Sequence, residues 1–362
     1  MTKKLSKLFF STIKRAARMQ RQAFKLAGAP VAKKTGKSTK RKTAKRAAMR
    51  VPRPPAEAMV QPSGKGIWQN LSHDIPPTST ELLGRLAYSL YRPTGMPLAG
   101  LPLVVMLHGC QQTPGEMAQG TRMNQLADQK GFVVAYPQQA RRVQQMRCWQ
   151  WFKPDAGHGL AEADRIAGLA RTLARRHRLD ASRIYIAGLS AGAGMAALTV
   201  LRHPGVFAAA ALHSGAVVGA ARDAAGGLRV MRRGVAGDAA KLMVPLLDDG
   251  QSFPGMPAMI LHGMRDGVVS VRNALQLTQQ FSGLNGVSAA GETVLGKGTH
   301  REYVRRDFRQ SGRAVVRLCL FKDVGHAWSG GNGKLRFHSE KGPAASVLIW
   351  QFFAMHRKVP SS

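Results

Sequence analysis

Ile184-Tyr-Ile-Ala-Gly188-Leu189-Ser190-Ala191-Gly192-Ala-Gly194-Met195 passes from a short apolar run, through G-x-S-x-G, into an Ala- and Gly-rich helical pattern. Such a run predicts a buried strand, a turn of minimal length and a helix that begins at once. In so tight a turn the flanking side chains collide unless positions 188 and 192 are small, and Ser190 is left standing proud of the sheet. The helix start behind it offers backbone N–H groups and a favourable dipole to developing negative charge. G-x-S-x-G alone is weak, because glycine and serine are common in turns and an ordinary strand–helix connection reads the same way. The strand before it and the helix after it make Ser190 a candidate nucleophile.

Outward from this unit the pattern repeats. Short apolar runs at Leu86–Tyr91, Leu103–Leu107, Phe132–Ala135, Ile184–Ala187, Ala208–Leu212, Ala258–Leu261 and Val315–Phe321 are bounded by glycine, proline or charge. Runs of this length suit strands buried on both faces. Helical stretches lie among them at Arg122–Lys130, Leu160–Arg178, Ala191–His203 and Arg272–Phe281. The alternation predicts an α/β fold, with a mostly parallel central sheet and helices on both faces. Chemistry on such a sheet belongs at the C-terminal ends of its strands.

A serine hydroxyl needs a base, and the base needs an orienting group. Downstream, the 258–261 run leads into His262-Gly-Met-Arg-Asp266-Gly, and the 315–321 run into Lys-Asp-Val-Gly-His326-Ala-Trp328. Asp266 and His326 therefore sit just past predicted strands, in the order nucleophile, acid, base. His262, His300 and His338 compete for the base, and Asp248, Asp249 and Asp323 for the acid; His262 reads as structural, closing the loop that positions Asp266. The 103–107 run ends in His108-Gly109-Cys110, so the backbone N–H groups of Cys110 and Ala191 are the expected oxyanion hole. Too few ligand types cluster near His108 and Cys110 for zinc, and no metal or cofactor is expected.

The chain has 362 residues, 44% of them hydrophobic, which is ample for a core and excludes wholesale disorder. No apolar run reaches the length of a transmembrane helix. Charge is lopsided: 54 Lys and Arg face 19 Asp and Glu, for a net +35. Eighteen of the bases fall between Lys3 and Arg53, and no acid precedes Glu57. Residues 1–30 carry Leu5, Leu8, Phe9, Ile13 and Phe24 at helical spacing against Lys7, Lys14, Arg18, Arg21 and Lys25, an expected basic amphipathic helix. Its apolar stretch is too short for a signal peptide. Residues 31–66, basic and then proline-rich, read as a disordered linker, and 67–362 as the catalytic domain. Residues 3–53 suit a polyanion, whether nucleic acid or an anionic granule or membrane surface; the plainer reading is a solvated tail. Three cysteines are too few for a disulfide scaffold or a four-thiolate zinc site.

Several segments together resemble the poly(3-hydroxybutyrate) depolymerase family of α/β-hydrolase esterases. They are Leu-His108-Gly-Cys110-Gln-Gln-Thr, Gly-Thr-Arg-Met-Asn with Gly-Phe-Val-Val-Ala-Tyr-Pro, Arg147-Cys148-Trp149-Gln-Trp151-Phe, Ala-Gly188-Leu-Ser190-Ala-Gly, Leu-His213-Ser-Gly215, His262-Gly-x-x-Asp266-Gly-Val-Val and Gly-His326-Ala-Trp328-Ser-Gly-Gly. The resemblance implies an α/β-hydrolase fold and a serine esterase acting on hydroxyalkanoate polyesters or related esters. Its triad would be Ser190, Asp266 and His326. It equally implies relatives that cleave feruloyl or acetyl esters of polysaccharides. The family is commonly extracellular; without a visible signal peptide, a cytoplasmic or granule-associated place is also expected. Trp149, Trp151 and Trp328 lie in segments near the expected mouth, where aromatics grip an apolar acyl chain; Trp149 and Trp328 are the expected substrate contacts, although core packing is the commoner fate of a tryptophan. Cys110 and Cys148 either form a disulfide, tying the oxyanion loop to the Trp segment, or stay as thiols in a reducing compartment. A competing reading is a nucleic-acid- or granule-associated protein whose hydrolase domain is vestigial.

Overall fold

A computed structural model of the chain describes residues 63–75, 84–155, 157–247 and 253–358. The expectations for the basic helix at 1–30 and for most of the linker lie outside these residues. The linker's last four residues, Ser63–Gly66, lie within them: Lys65 N–H donates to Asp128 at 2.8 Å and Gly66 N–H to the Tyr91 hydroxyl at 2.6 Å. Their backbone is thus tied to Tyr91 and Asp128.

In chain order the elements are β1 (Ile67–Ile75), β2 (Gly84–Arg92), β3 (Leu103–Leu107), α1 (Pro114–Thr121), α2 (Met123–Lys130), β4 (Val133–Pro137), α3 (Gly159–Arg176), β5 (Ile184–Leu189), α4 (Ala191–Arg202), β6 (Ala209–His213), α5 (Ala224–Arg233), a 3-10 turn (Ala240–Leu246), β7 (Ala258–Gly263), α6 (Val271–Leu284), β8 (Ala289–Leu295), β9 (Tyr303–Gln310), β10 (Arg313–Phe321) and α7 (Ala345–Phe353). The strands form one sheet in the order β1-β2-β4-β3-β5-β6-β7-β10-β9-β8. From β4 through β10 neighbours run parallel, while β1, β2, β9 and β8 pair antiparallel at the two margins.

The central strands are buried along their whole length. Their side chains alternate between two apolar cores, as a period of two requires. Val105, Ile186, Leu212, Ile260 and Leu318 point to the core shared with α3, α4, α5 and α6. Val104, Met106, Tyr185, Ala187, Met259 and Leu261 point to the core shared with α1, α2 and α7. Helices therefore cover both faces, as the sequence pattern implies. Each strand and helix expected between residues 86 and 321 is present to within a few residues.

The strands not foreseen are marginal ones. β1 is mostly exposed and offers no apolar run. β9, Tyr-Val-Arg-Arg-Asp-Phe-Arg-Gln, is too charged to read as a strand from sequence. Its Asp307 lies opposite Arg317 of β10 and accepts from Nε at 2.6 Å and Nη2 at 3.0 Å, so the charge is matched across the ladder.

Candidate active site

The β5–α4 turn is built by close approach. A Cβ on Gly188 would run into the carbonyl of Gly192, and one on Gly192 into the carbonyl of Leu107 on the neighbouring strand. Only glycine fits at either place. Between them Ser190 is held at φ 57°, ψ −117°, a region that a side-chain-bearing residue occupies at a cost of about 1–3 kcal/mol. Its N–H donates to His213 O at 2.9 Å, which pins the turn to the end of β6.

Residues separated widely in sequence meet above the C-terminal ends of β5, β7 and β10. His326 Nε2 lies 2.9 Å from Ser190 Oγ, and His326 Nδ1 lies 2.7 Å from Asp266 Oδ2. The other carboxylate oxygen of Asp266 accepts from the N–H groups of Val268 and Val269, each at 2.8 Å. Burial alone would raise this carboxyl; the facing His326 and the N–H donors outweigh it and hold it down at about 2. His262 is buried and donates through Nε2 to Val269 O at 2.9 Å, so it closes the 263–269 loop beneath the carboxylate. The rivals lie elsewhere. Asp323 pairs with Arg265 at 2.7 Å, His338 hydrogen-bonds Arg336 O at 2.8 Å, and His300 is exposed. Asp248 and Asp249 fall outside the described residues.

Cys110 and Ala191 flank Ser190 in the same cleft. Among the described residues neither backbone N–H has a hydrogen-bond partner, and Ala191 opens the first turn of α4, where N–H groups have no intrahelical acceptor. Cys110 is disulfide-bonded to Cys148, and Gln111 N–H donates to Met146 O at 2.7 Å. The 108–112 loop is thus fastened to the 144–151 segment by a covalent and a polar link. The rest of the cleft is apolar: Trp151, Leu189, Ala216, Met231, Val268, Val269 and Phe337 surround Ser190, Ser214 and His326.

Residues 86–305, well over half of the chain, match the sequence profile of the family described as esterase PHB depolymerase. The chain belongs to that family. Over 252 residues it is 31% identical to poly(3-hydroxyalkanoate) depolymerase C of Paucimonas lemoignei, which covers 67% of this chain and 58% of the relative. Feruloyl esterase B of Neurospora crassa is 30% identical over 195 residues, 51% of this chain and 65% of that one. The chain therefore spans less than two thirds of the length of these curated relatives. A solved structure, acetyl xylan esterase from Aspergillus awamori, is similar with a TM-score of 0.62 at 19% identity, over 80% of this chain and 99% of that one. The shared fold is that of the α/β-hydrolases.

Two tryptophans of this PHB depolymerase family chain depart from expectation. Trp149 is 1% exposed and packs its ring 5.5 Å from that of His108. Trp328 is fully buried, stacks on His213 at 5.1 Å and donates through Nε1 to Ser346 Oγ at 3.2 Å. Neither lines the cleft, so neither is placed to grip substrate. Trp151, two residues beyond Trp149, reaches the wall instead. The 139–150 loop is set by a buried carboxylate: Glu162 accepts from Gln139 Nε2 at 2.5 Å, Gln150 Nε2 at 3.0 Å and Gln150 N–H at 2.8 Å.

His213 sits in one of the motif segments, but the sequence pattern does not mark it as a site residue. Its carbonyl holds the Ser190 N–H, and its ring Nε2 accepts from Ser329 N–H at 3.2 Å, three residues beyond His326. Burial, helped by the nearby His262 and His326, pushes its ring down to about 3, so it is neutral. A histidine directly after an apolar strand, one strand over from the G-x-S-x-G turn, was the available signal.

Proposed function

We propose that the chain is a serine esterase that hydrolyses carboxylic esters, with poly(3-hydroxybutyrate) or related hydroxyalkanoate polyesters and oligomers as the substrate class. The observation that carries the reading is the unbroken array from Ser190 Oγ through His326 to Asp266, standing in an apolar cleft beside two backbone N–H groups. In this reading His326 Nε2 takes the Ser190 proton as Oγ attacks the ester carbonyl. Asp266 keeps the imidazole's other N–H engaged and balances the imidazolium that forms. The N–H groups of Cys110 and Ala191 face the oxyanion. His326 returns the proton to the leaving alcohol, and water, deprotonated by the same ring, releases the acid from Ser190. No metal or cofactor enters any step.

The test is Ser190→Ala in the full chain. Hydrolysis of p-nitrophenyl butyrate falls by a factor of at least about 10³, with the fold intact by circular dichroism. Undiminished turnover would overturn the mechanism, and a native chain inert to every ester would favour the vestigial reading.

A second reading, a feruloyl or acetyl esterase on polysaccharide esters, draws support from the 30% identity to feruloyl esterase B. Turnover of feruloyl, acetyl and hydroxybutyryl esters side by side separates the two. For residues 3–53 we propose a polyanion contact, resting on their 18 bases and absence of acids. A salt-titrated DNA-binding assay with and without residues 1–55 tests it; a steep salt slope lost on truncation is the expected outcome.

A further inference from the structure

The apolar cleft contains one polar side chain that the mechanism leaves unused. Ser214 follows the last residue of β6, is buried, and sits at φ 51° with its N–H donating to Leu261 O at 2.8 Å. It lines the cleft together with Ser190 and His326.

The state of its hydroxyl follows from its neighbour. Ser329 N–H can only donate, so His213 Nε2, 3.2 Å away, must be the acceptor. The ring is buried and neutral, so its single proton is on Nδ1. Nδ1 lies 3.2 Å from Ser214 Oγ, and that N–H therefore donates to the hydroxyl oxygen. The Ser214 proton must then point away from His213. Among the described residues no acceptor for it is recorded. A hydroxyl whose oxygen is occupied and whose proton is free is a directed donor, here set among Trp151, Ala216, Met231, Val268 and Phe337.

We propose that Ser214 is a specificity residue that donates a hydrogen bond to an oxygen substituent on the acyl chain of the substrate, the hydroxyl or ester oxygen of a 3-hydroxyacyl group. A free donor serves either form, since both oxygens accept, and so suits an acyl unit at a chain end or within a chain. A plain alkanoyl group leaves the donor unpaired in an apolar cleft, and the site discriminates against it. This inference rests on the serine-esterase reading above and deepens it.

The experiment compares p-nitrophenyl 3-hydroxybutyrate with p-nitrophenyl butyrate on the full chain and on Ser214→Ala and Ser214→Gly. Glycine tolerates the positive φ and guards against a folding defect in the alanine variant. In both variants the ratio of kcat/KM for the hydroxylated over the plain ester is expected to fall about tenfold, the value of one good neutral hydrogen bond, with the loss concentrated in KM. A purely structural role, in which Ser214 only accepts from His213, would lower both esters equally and leave the ratio unmoved; that result overturns the proposal. So does a ratio unmoved because neither rate changes. A native chain that hydrolyses neither ester overturns the esterase reading itself, whereas an active chain with an unchanged ratio sinks only the role of Ser214.

Discussion

Asp266 has both carboxylate oxygens committed, Oδ1 to the Val268 and Val269 N–H groups and Oδ2 to His326. Asp266→Asn cannot balance an imidazolium and puts a donor where an acceptor is needed. Its kcat is expected to drop by about 10³–10⁴, with KM little changed. Asp323→Asn, whose native partner is the surface Arg265, should stay within about twofold. Stability tests the same carboxylate. Its folded value of about 2 lies below the usual 3.8, so its ionised form stabilises the fold above pH 4. That contribution disappears as pH falls through 2. Urea unfolding should therefore show a gap between native and Asp266→Asn proteins that is open at pH 6 and narrows between pH 4 and 2. At this scale the meeting of Ser190, Asp266 and His326 is legible in sequence because each follows an apolar run that reads as a strand. Trp151 against Trp149 is not. Which of two nearby indoles faces the cleft depends on how Glu162 and the disulfide seat the loop, and both act across long sequence separations.

Between single residues and the fold stand the loops, and the 108–112 loop is the one the chemistry leans on. The Cys110–Cys148 bond joins positions 38 apart and fixes a backbone N–H of the proposed oxyanion hole to the segment that carries Trp151. Replacing both cysteines by serine should cost about 2–4 kcal/mol in urea unfolding, from the loop-closure entropy regained by the unfolded chain. It should also lower kcat on p-nitrophenyl butyrate by about tenfold. Dithiothreitol treatment of the native chain should reproduce the kinetic effect. Cys319 does not confuse the assay, because it is buried and its thiol is pushed up to about 12, chiefly by burial. The strands β1 and β9 escaped sequence reading for one shared physical reason. β1 and β9 gain their strand character from pairing with β2 and β10 and from ion pairs such as Asp307–Arg317, not from any apolar run of their own.

For the whole molecule, the feature with the widest consequence is the number of imidazoles sealed in the interior. Burial holds His108, His338 and His356 down at about 4, and His213 at about 3. All four lie below the unfolded value of about 6.5, so the unfolded chain binds more protons and acid favours it. Stability should be flat above pH 7 and fall as pH drops from 6.5 towards 4, with a slope approaching four protons. Unfolding free energies at pH 7, 6 and 5 check the sign and the size. Among the described residues no helix is long and apolar enough to cross a membrane.

His213 gives that response a sharper edge. One histidine holds the Ser190 N–H with its main-chain carbonyl and the Ser329 N–H with its ring, like a single bolt through two plates. In a random mutagenesis screen, lesions there should loosen the Ser329 plate, which only the ring holds, and spare the main-chain hold on Ser190.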